Sequence, residues 1–180
     1  MRIRSAVQGD APALGRVMVA SWLSGHKGHM PDELWVRRAA DWTPEVSAQG
    51  WARVLDDQTS GGAPRDVLLV AEEPAAWLVG LVYGRPADDD PALTAEVSAL
   101  YVDATRRRQG VGAALLQVAA LELRQLGFST VRLEVLSANL PARAFYEQLG
   151  GREIGHGTFD EDGYPLDVTI YQWAISHLAT

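Results

Sequence analysis

The stretch running from Val97 to Leu116 constrains this 180-residue chain more than any other. An apolar strand ends, a turn with Arg106, Arg107 and Arg108 follows, and an amphipathic helix starts at a glycine pair, Gly110 and Gly112. A helix N-terminus leaves N–H groups unpaired and carries partial positive charge, so it can hold an anion. Glycine there removes the Cβ that would keep a phosphate from the backbone. The arginines add positive charge in a chain whose net charge is −7. The pattern suits a pyrophosphate. It is not the dinucleotide fingerprint, because Leu115 takes the place of the third glycine and no acidic ribose partner is evident. Nor is it a P-loop, since no Gly-Lys-Ser/Thr follows.

The flanking sequence sets the rest of the expectation. Residues 2–7 alternate polar and apolar and read as a strand. Asp10 can cap a helix running to about residue 21, with Ala11-Pro12 in its first turn. Residues 22–41 are irregular and predict a loop and a short helix after Asp32. Thr43-Pro44-Glu45 starts a helix to about residue 55, and residues 59–64 read as a loop. Residues 67–71 and 77–83 form a hairpin about a turn at 72–76. A strand at 93–102 precedes the glycine-paired helix at 110–126. Further strands are expected at 130–136, 152–155 and 168–173, with a short helix at 139–149. This β-α-α-β-β-β-α-β-α-β-β order implies an α/β (mixed α+β) fold, a mixed sheet with helices on both faces.

Bulk properties exclude several classes. The length suits a single domain over residues 1–180. There are no cysteines, so disulfides and thiolate chemistry are excluded. That absence fits a cytoplasmic protein, which is the expectation. No apolar run is long enough for a membrane span, and the first residues lack the apolar core of a signal peptide. The acidic balance argues against nucleic-acid binding. It can favour a cationic substrate such as an amine, or simply keep the chain soluble. His26 and His29 are spaced to share a metal, but without cysteine or a defined third ligand no metal site is expected.

At this point a family resemblance emerges. Arg107-x-x-Gly110-x-Gly112, after the strand Leu100-Tyr101-Val102, resembles the coenzyme A pyrophosphate motif of the GNAT acetyltransferases. Asn139-x-x-Ala142, then Phe145-Tyr146 and Leu149-Gly150, is similar to that family's later segment. The resemblance is specific over residues 93–155; before that only the element order matches. It implies a mostly antiparallel sheet of about six or seven strands, splayed between strands 4 and 5. It further implies acetyl-CoA as co-substrate, no metal, and direct acetyl transfer to a primary amine of a small molecule or peptide. The alternative is a non-catalytic acyl-CoA sensor on the same fold.

Residue by residue, the resemblance implies that Leu100, Tyr101 and Val102 offer backbone to the pantetheine arm, one N–H polarising the thioester carbonyl. Arg108, Gln109, Gly110, Val111, Gly112 and Ala113 would surround the pyrophosphate, with Arg107 structural or peripheral. Asn139 would bond the arm or cap its helix. Tyr146 would be the general acid for the departing thiolate, or a ring packed beside Phe145. Glu96 would be the base that frees the amine, on the same strand face as Ser98 and Leu100, or a solvated edge residue. Glu134 is a weaker candidate of that kind. Trp22 and His26, with His29 and Trp35, would line the acceptor pocket; the tryptophans can equally be core or interface residues. A homodimer is the default assembly.

Overall fold

The computed structural model describes residues 1–60, 65–74 and 77–179. Among these, seven strands form one sheet: β1 (Arg2–Ser5), β2 (Val67–Glu73), β3 (Trp77–Pro86), β4 (Thr94–Val102), β5 (Thr130–Leu136), β6 (Arg152–Glu161) and β7 (Tyr164–Ala174). Their order is β1-β2-β3-β4-β5-β7-β6. Every neighbouring pair is antiparallel except β4–β5, which is parallel. The helices are α1 (Ala11–His26), α2 (Asp32–Asp41), α3 (Pro44–Ser60), α4 (Val111–Gln125), α5 (Leu140–Gln148) and the short α6 (Ile175–Leu178). The mixed, mostly antiparallel sheet with helices on both faces is the expected fold.

The apolar run of β2 explains why both faces are covered. Val67, Leu69 and Ala71 pack with Val111, Leu115, Leu116, Ala119 and Leu123 of α4. Their neighbours Leu68 and Val70 pack with Ala11, Leu14, Val17, Trp51 and Leu55 of α1 and α3. A strand buried on both faces has no polar face to alternate with, so its sequence reads as a continuous apolar stretch. On the face shared with α1 and α3, Leu34 of α2 docks on Leu136, Leu166 and Val168.

Several boundaries differ from the sequence reading. Helix α1 continues past residue 21 to His26, and α3 continues through Thr59 and Ser60. Thr59 stays helical with its hydroxyl donating back to the Leu55 and Asp56 carbonyls. Residues 61–64 of the expected loop and 75–76 of the expected turn lie outside the described residues. The last two strands are longer than expected, and their hairpin closes at Asp162-Gly163, with φ of 53° and 84°. Asp-Gly is a strong signature of such a two-residue turn, so the signal was present in the sequence.

One irregularity changes side-chain directions. Tyr83 pairs with Ala99 and Gly84 with Val97, which leaves Ser98 as an extra residue in β4. Such a bulge inverts the alternation beyond it. Before the bulge, Ala95 and Val97 face α4. After it, Ala99 and Tyr101 face α1, while Leu100 and Val102 join the α4 side. The expectation that Glu96 shares a face with Leu100 is therefore corrected; Glu96 shares one with Ala99 and Tyr101.

Candidate active site

The β4–β5 pairing covers only Thr94–Thr130, Ala95–Val131 and Glu96–Arg132. Beyond Glu96, β4 stays with β3 as far as Val102, and β5 stays with β7 as far as Leu136. The two strands part there, which is the expected splay. Asp103 N–H donates to the Val79 carbonyl at 2.8 Å and so sets the phase of the β3–β4 ladder. Alternation then pairs the Tyr101 backbone with β3 and turns the N–H and C=O of Leu100 and Val102 into the gap. Of the three residues expected to offer backbone, the geometry thus selects two. The Tyr101 side chain packs on the α1 side of the sheet.

The gap leads to the N-terminus of α4. Gly110 is the N-cap residue with φ of 82°, and Arg108 also takes a left-handed φ of 60°. A tight turn with left-handed residues opening a helix presents backbone N–H groups as an anion-binding concavity. Gly110 is needed for its conformation, since a Cβ there would meet nothing within 4 Å. Gly112 has a different reason: an added Cβ would lie 3.3 Å from the Phe145 ring, so α5 approaches α4 closely. Gln109 folds back to the Thr105 carbonyl at 3.0 Å. Val111 is buried in the core, and Ala113 stands in the first turn. The three arginines divide. Arg106 pairs with Glu73, Arg107 turns to α1, and Arg108 is exposed beside the helix end.

The end of α1 is held by side chains from three distant segments. Arg107 Nη2 donates to the Ser21 carbonyl at 3.0 Å and to Ser24 Oγ at 2.7 Å, and its Nε to the Val102 carbonyl at 3.3 Å. Trp35 Nε1 donates to the Leu23 carbonyl at 2.9 Å. Asn139 Nδ2 donates to the Gly25 carbonyl at 3.4 Å, while its Oδ1 accepts from Ala142 N–H and caps α5. Helix C-termini leave carbonyls unpaired; Trp35 and Asn139 reach carbonyls of the last turn, and Arg107 adds a donor one turn earlier, at Ser21. Of the two roles expected for Asn139, the helix cap is visible.

Tyr146 lies buried in α5 among the rings of Phe145 at 5.2 Å, Tyr171 at 5.9 Å and Trp173 at 6.0 Å. Burial pushes its phenol up to about 12. Burial also pushes up the Tyr101 phenol, with Tyr146 and Glu161 as its electrostatic neighbours. His26 stacks on Trp22 at 4.5 Å and approaches Tyr101 at 6.3 Å; Trp22 meets Trp42 edge-on at 5.5 Å. Trp22, His26 and Tyr101 therefore form one connected set of rings, and Tyr146 belongs to a second with Phe145, Tyr171 and Trp173. Trp35 and His29 sit beside α1 outside it.

Glu96 stands apart, at the foot of the gap. Its Oε1 meets Arg85 at 3.2 Å and its Oε2 meets Arg132 at 3.6 Å. Both carboxylate oxygens are engaged by guanidinium groups. Glu134 is exposed. The sequence reading missed Arg38, Trp42 and Glu161. Arg38 contacts Glu161 at 2.6 Å and lies over the Trp42 ring at 5.1 Å. Glu161 is 8% exposed, and burial pushes its carboxyl upward. Nothing local in the sequence marks this cluster, because α2 and the β6–β7 hairpin meet only in three dimensions.

The model of the acetyltransferase (GNAT) family matches residues 31–151. The chain belongs to this family. Among curated relatives, it is 40% identical over 83 residues to mycothiol acetyltransferase of Propionibacterium freudenreichii, covering 46% of this chain and 27% of that protein. It is 30% identical over 129 residues to human N-acetyltransferase 8, covering 70% of this chain and 56% of that protein. The chain thus spans about a quarter and about half of the lengths of these relatives. Among solved structures, PaiA N-acetyltransferase of Thermoplasma acidophilum in complex with coenzyme A superimposes with a TM-score of 0.70 at 20% identity, over 96% of this chain and 98% of that one. At that identity the likeness speaks for the fold. The matched GNAT segment runs from the start of α2 to the end of α5 and contains the gap, the α4 N-terminus and Tyr146. Trp22, His26 and the β6–β7 hairpin lie outside it. Among the described residues, no helix is long and apolar enough to cross a membrane, and no group of three or more His, Cys, Asp or Glu is arranged to hold a metal.

Proposed function

We propose that this chain transfers an acetyl group from acetyl-CoA directly to a primary amine of a small molecule or peptide, with residues 1–180 acting as one domain. The observation that carries the reading is the early end of the β4–β5 pairing, with Leu100 and Val102 backbone turned into a gap that runs to the Gly110 helix N-terminus. The pantetheine arm fits such a gap as an added half-strand, and the pyrophosphate fits the helix end. In this reading Arg108, Gln109, Gly110, Val111, Gly112 and Ala113 surround the phosphates. Arg107 and Asn139 act by holding α1 over the gap. The N–H of Leu100 or Val102 polarises the thioester carbonyl.

Tyr146 serves the departing sulfur. Full proton transfer from a phenol near 12 to a thiolate near 8.5 is uphill by about 5 kcal/mol. Hydrogen-bond donation to the developing thiolate needs no such transfer and gains strength in a dry site. The raised value keeps the phenol protonated throughout the neutral range. Glu96, held by two arginines, braces the foot of the gap in this reading.

The test is thiol release from acetyl-CoA across a panel of amines, beside coenzyme A binding followed by thermal shift. Amine-dependent release with formation of the acetylated product is expected. Binding without release for every amine would overturn transfer in favour of an acyl-CoA sensor.

A further inference from the structure

We infer that His26 is the proton acceptor for the attacking amine, through its Nε2, in the acetyl transfer proposed above and resting on that reading. The geometry begins with Nδ1, which lies 2.9 Å from the Trp22 carbonyl. A carbonyl oxygen only accepts, so Nδ1 carries the proton and Nε2 keeps its lone pair. The ring is fixed against Trp22 by stacking at 4.5 Å and 17°, and its outer side approaches Tyr101 at 6.3 Å. Tyr101 packs on the α1 side of the sheet, whereas Leu100 and Val102 pack on the α4 side in the cluster that holds Tyr146. A proton acceptor and a sulfur-side donor therefore stand on opposite faces of the sheet at the end of β4.

The helix that carries His26 is anchored where a base needs to be rigid. Arg107, Trp35 and Asn139 hold the carbonyls of Ser21, Leu23 and Gly25, and the His29 N–H donates to the His26 carbonyl at 2.9 Å. The surrounding charges favour the neutral imidazole. Burial lowers the His26 pKa from its ordinary 6.5 against the opposing hydrogen bond to the Trp22 carbonyl, and the Arg107 guanidinium acts in the same direction as burial. Lys27 faces Trp35, and Arg38 lies over Trp22 and contacts Glu161, whose charge acts on Tyr101. Glu96, at the foot of the gap, has both oxygens on arginines.

In the step, the amine nitrogen uses its lone pair to form the N–C bond at the thioester carbonyl. The nitrogen's surplus proton passes to His26 Nε2. The C–S bond breaks with its electron pair going to sulfur, which leaves as a thiolate hydrogen-bonded to Tyr146. His26 then returns its proton to solvent, and amine plus thioester have become amide, thiolate and one proton.

The experiment compares the pH dependence of kcat for the full chain and for His26→Asn, whose amide can still donate to the Trp22 carbonyl, with His26→Gln as a second variant. Coenzyme A affinity and melting temperature report whether the fold is kept. Wild type is expected to show an acid limb with a midpoint below 6.5. In both variants that limb should vanish, and kcat should fall by about 10²-fold or more while coenzyme A affinity is unchanged. An unchanged limb, with or without a lower kcat, would overturn the base role and leave the acetyltransferase reading standing. If wild type transfers acetyl to no amine, both fall together.

Discussion

Arg107 donates from Nη2 to the backbone oxygen of Ser21 at 3.0 Å, across 86 residues of sequence. This bond ties the turn that opens α4 to the last turns of α1, and so couples the phosphate end of the gap to Trp22 and His26. Arg107, expected to be structural or peripheral beside the phosphate site, is a brace between two elements.

Exchanging the neighbouring arginines separates these roles. Arg107→Ala should destabilise the fold by about 1.5–3 kcal/mol, the range for hydrogen bonds involving a charged group, and should lower turnover. Coenzyme A affinity should change little. Arg108→Ala should show the converse, with weaker coenzyme A binding and an unaltered melt. Denaturant unfolding and calorimetric titration of coenzyme A check both.

Gly110 isolates the helix N-terminus. With φ of 82° and open space around its Cβ position, Gly110→Val strains only the backbone, by about 1–2 kcal/mol. The resulting shift of the turn should weaken coenzyme A binding by about tenfold or more, a loss of about 1.4 kcal/mol or more. Gly112→Val should instead press on Phe145 and lower stability as well, so Gly110 is the cleaner probe. Affinity equal to wild type in folded Gly110→Val would refute the phosphate cradle.

Tyr146→Phe keeps the ring cluster with Tyr171 and Trp173 and removes only the hydroxyl. Turnover should fall by about 10- to 100-fold, with KM for acetyl-CoA within about threefold. Because burial pushes the phenol up to about 12, it remains protonated as pH rises through its ordinary 10. Wild-type kcat should therefore show no alkaline loss from this group up to about pH 10. Steady-state kinetics at fixed ionic strength measure both.

Glu96→Gln removes a carboxylate from a cluster with Arg85, Arg132, Asp88 and Asp89. Half-buried ion pairs of this kind contribute at most about 1 kcal/mol, so the melt should shift slightly. Turnover should stay within about threefold and the pH profile should keep its shape, because a base would contribute about 10²-fold or more. A large loss with a shifted acid limb would return Glu96 to the chemistry.

The sequence by itself determined the local elements of this protein. Apolar periodicity marks α4 and the strands, glycine marks the turn at 110, and the ordered pair of motifs at Arg107–Gly112 and Asn139–Tyr146 marks the family, because each signal lies within a few consecutive residues. Asp162-Gly163 was legible too, as a turn signature.

Only the tertiary structure decided which groups meet. The bulge at Ser98 set the face of Glu96, and it arises from the register against β3, which no pattern in β4 alone reveals. The last turns of α1 bring Arg107, Trp35 and Asn139 together from separate segments, two of them on carbonyls that the helix end leaves without a helical partner. The same packing put His26 beside Tyr101 and Arg38 beside Glu161. Burial, not sequence, set the Tyr146 phenol about 12: desolvation depends on the whole shell of neighbours, and that shell exists only once the chain has folded.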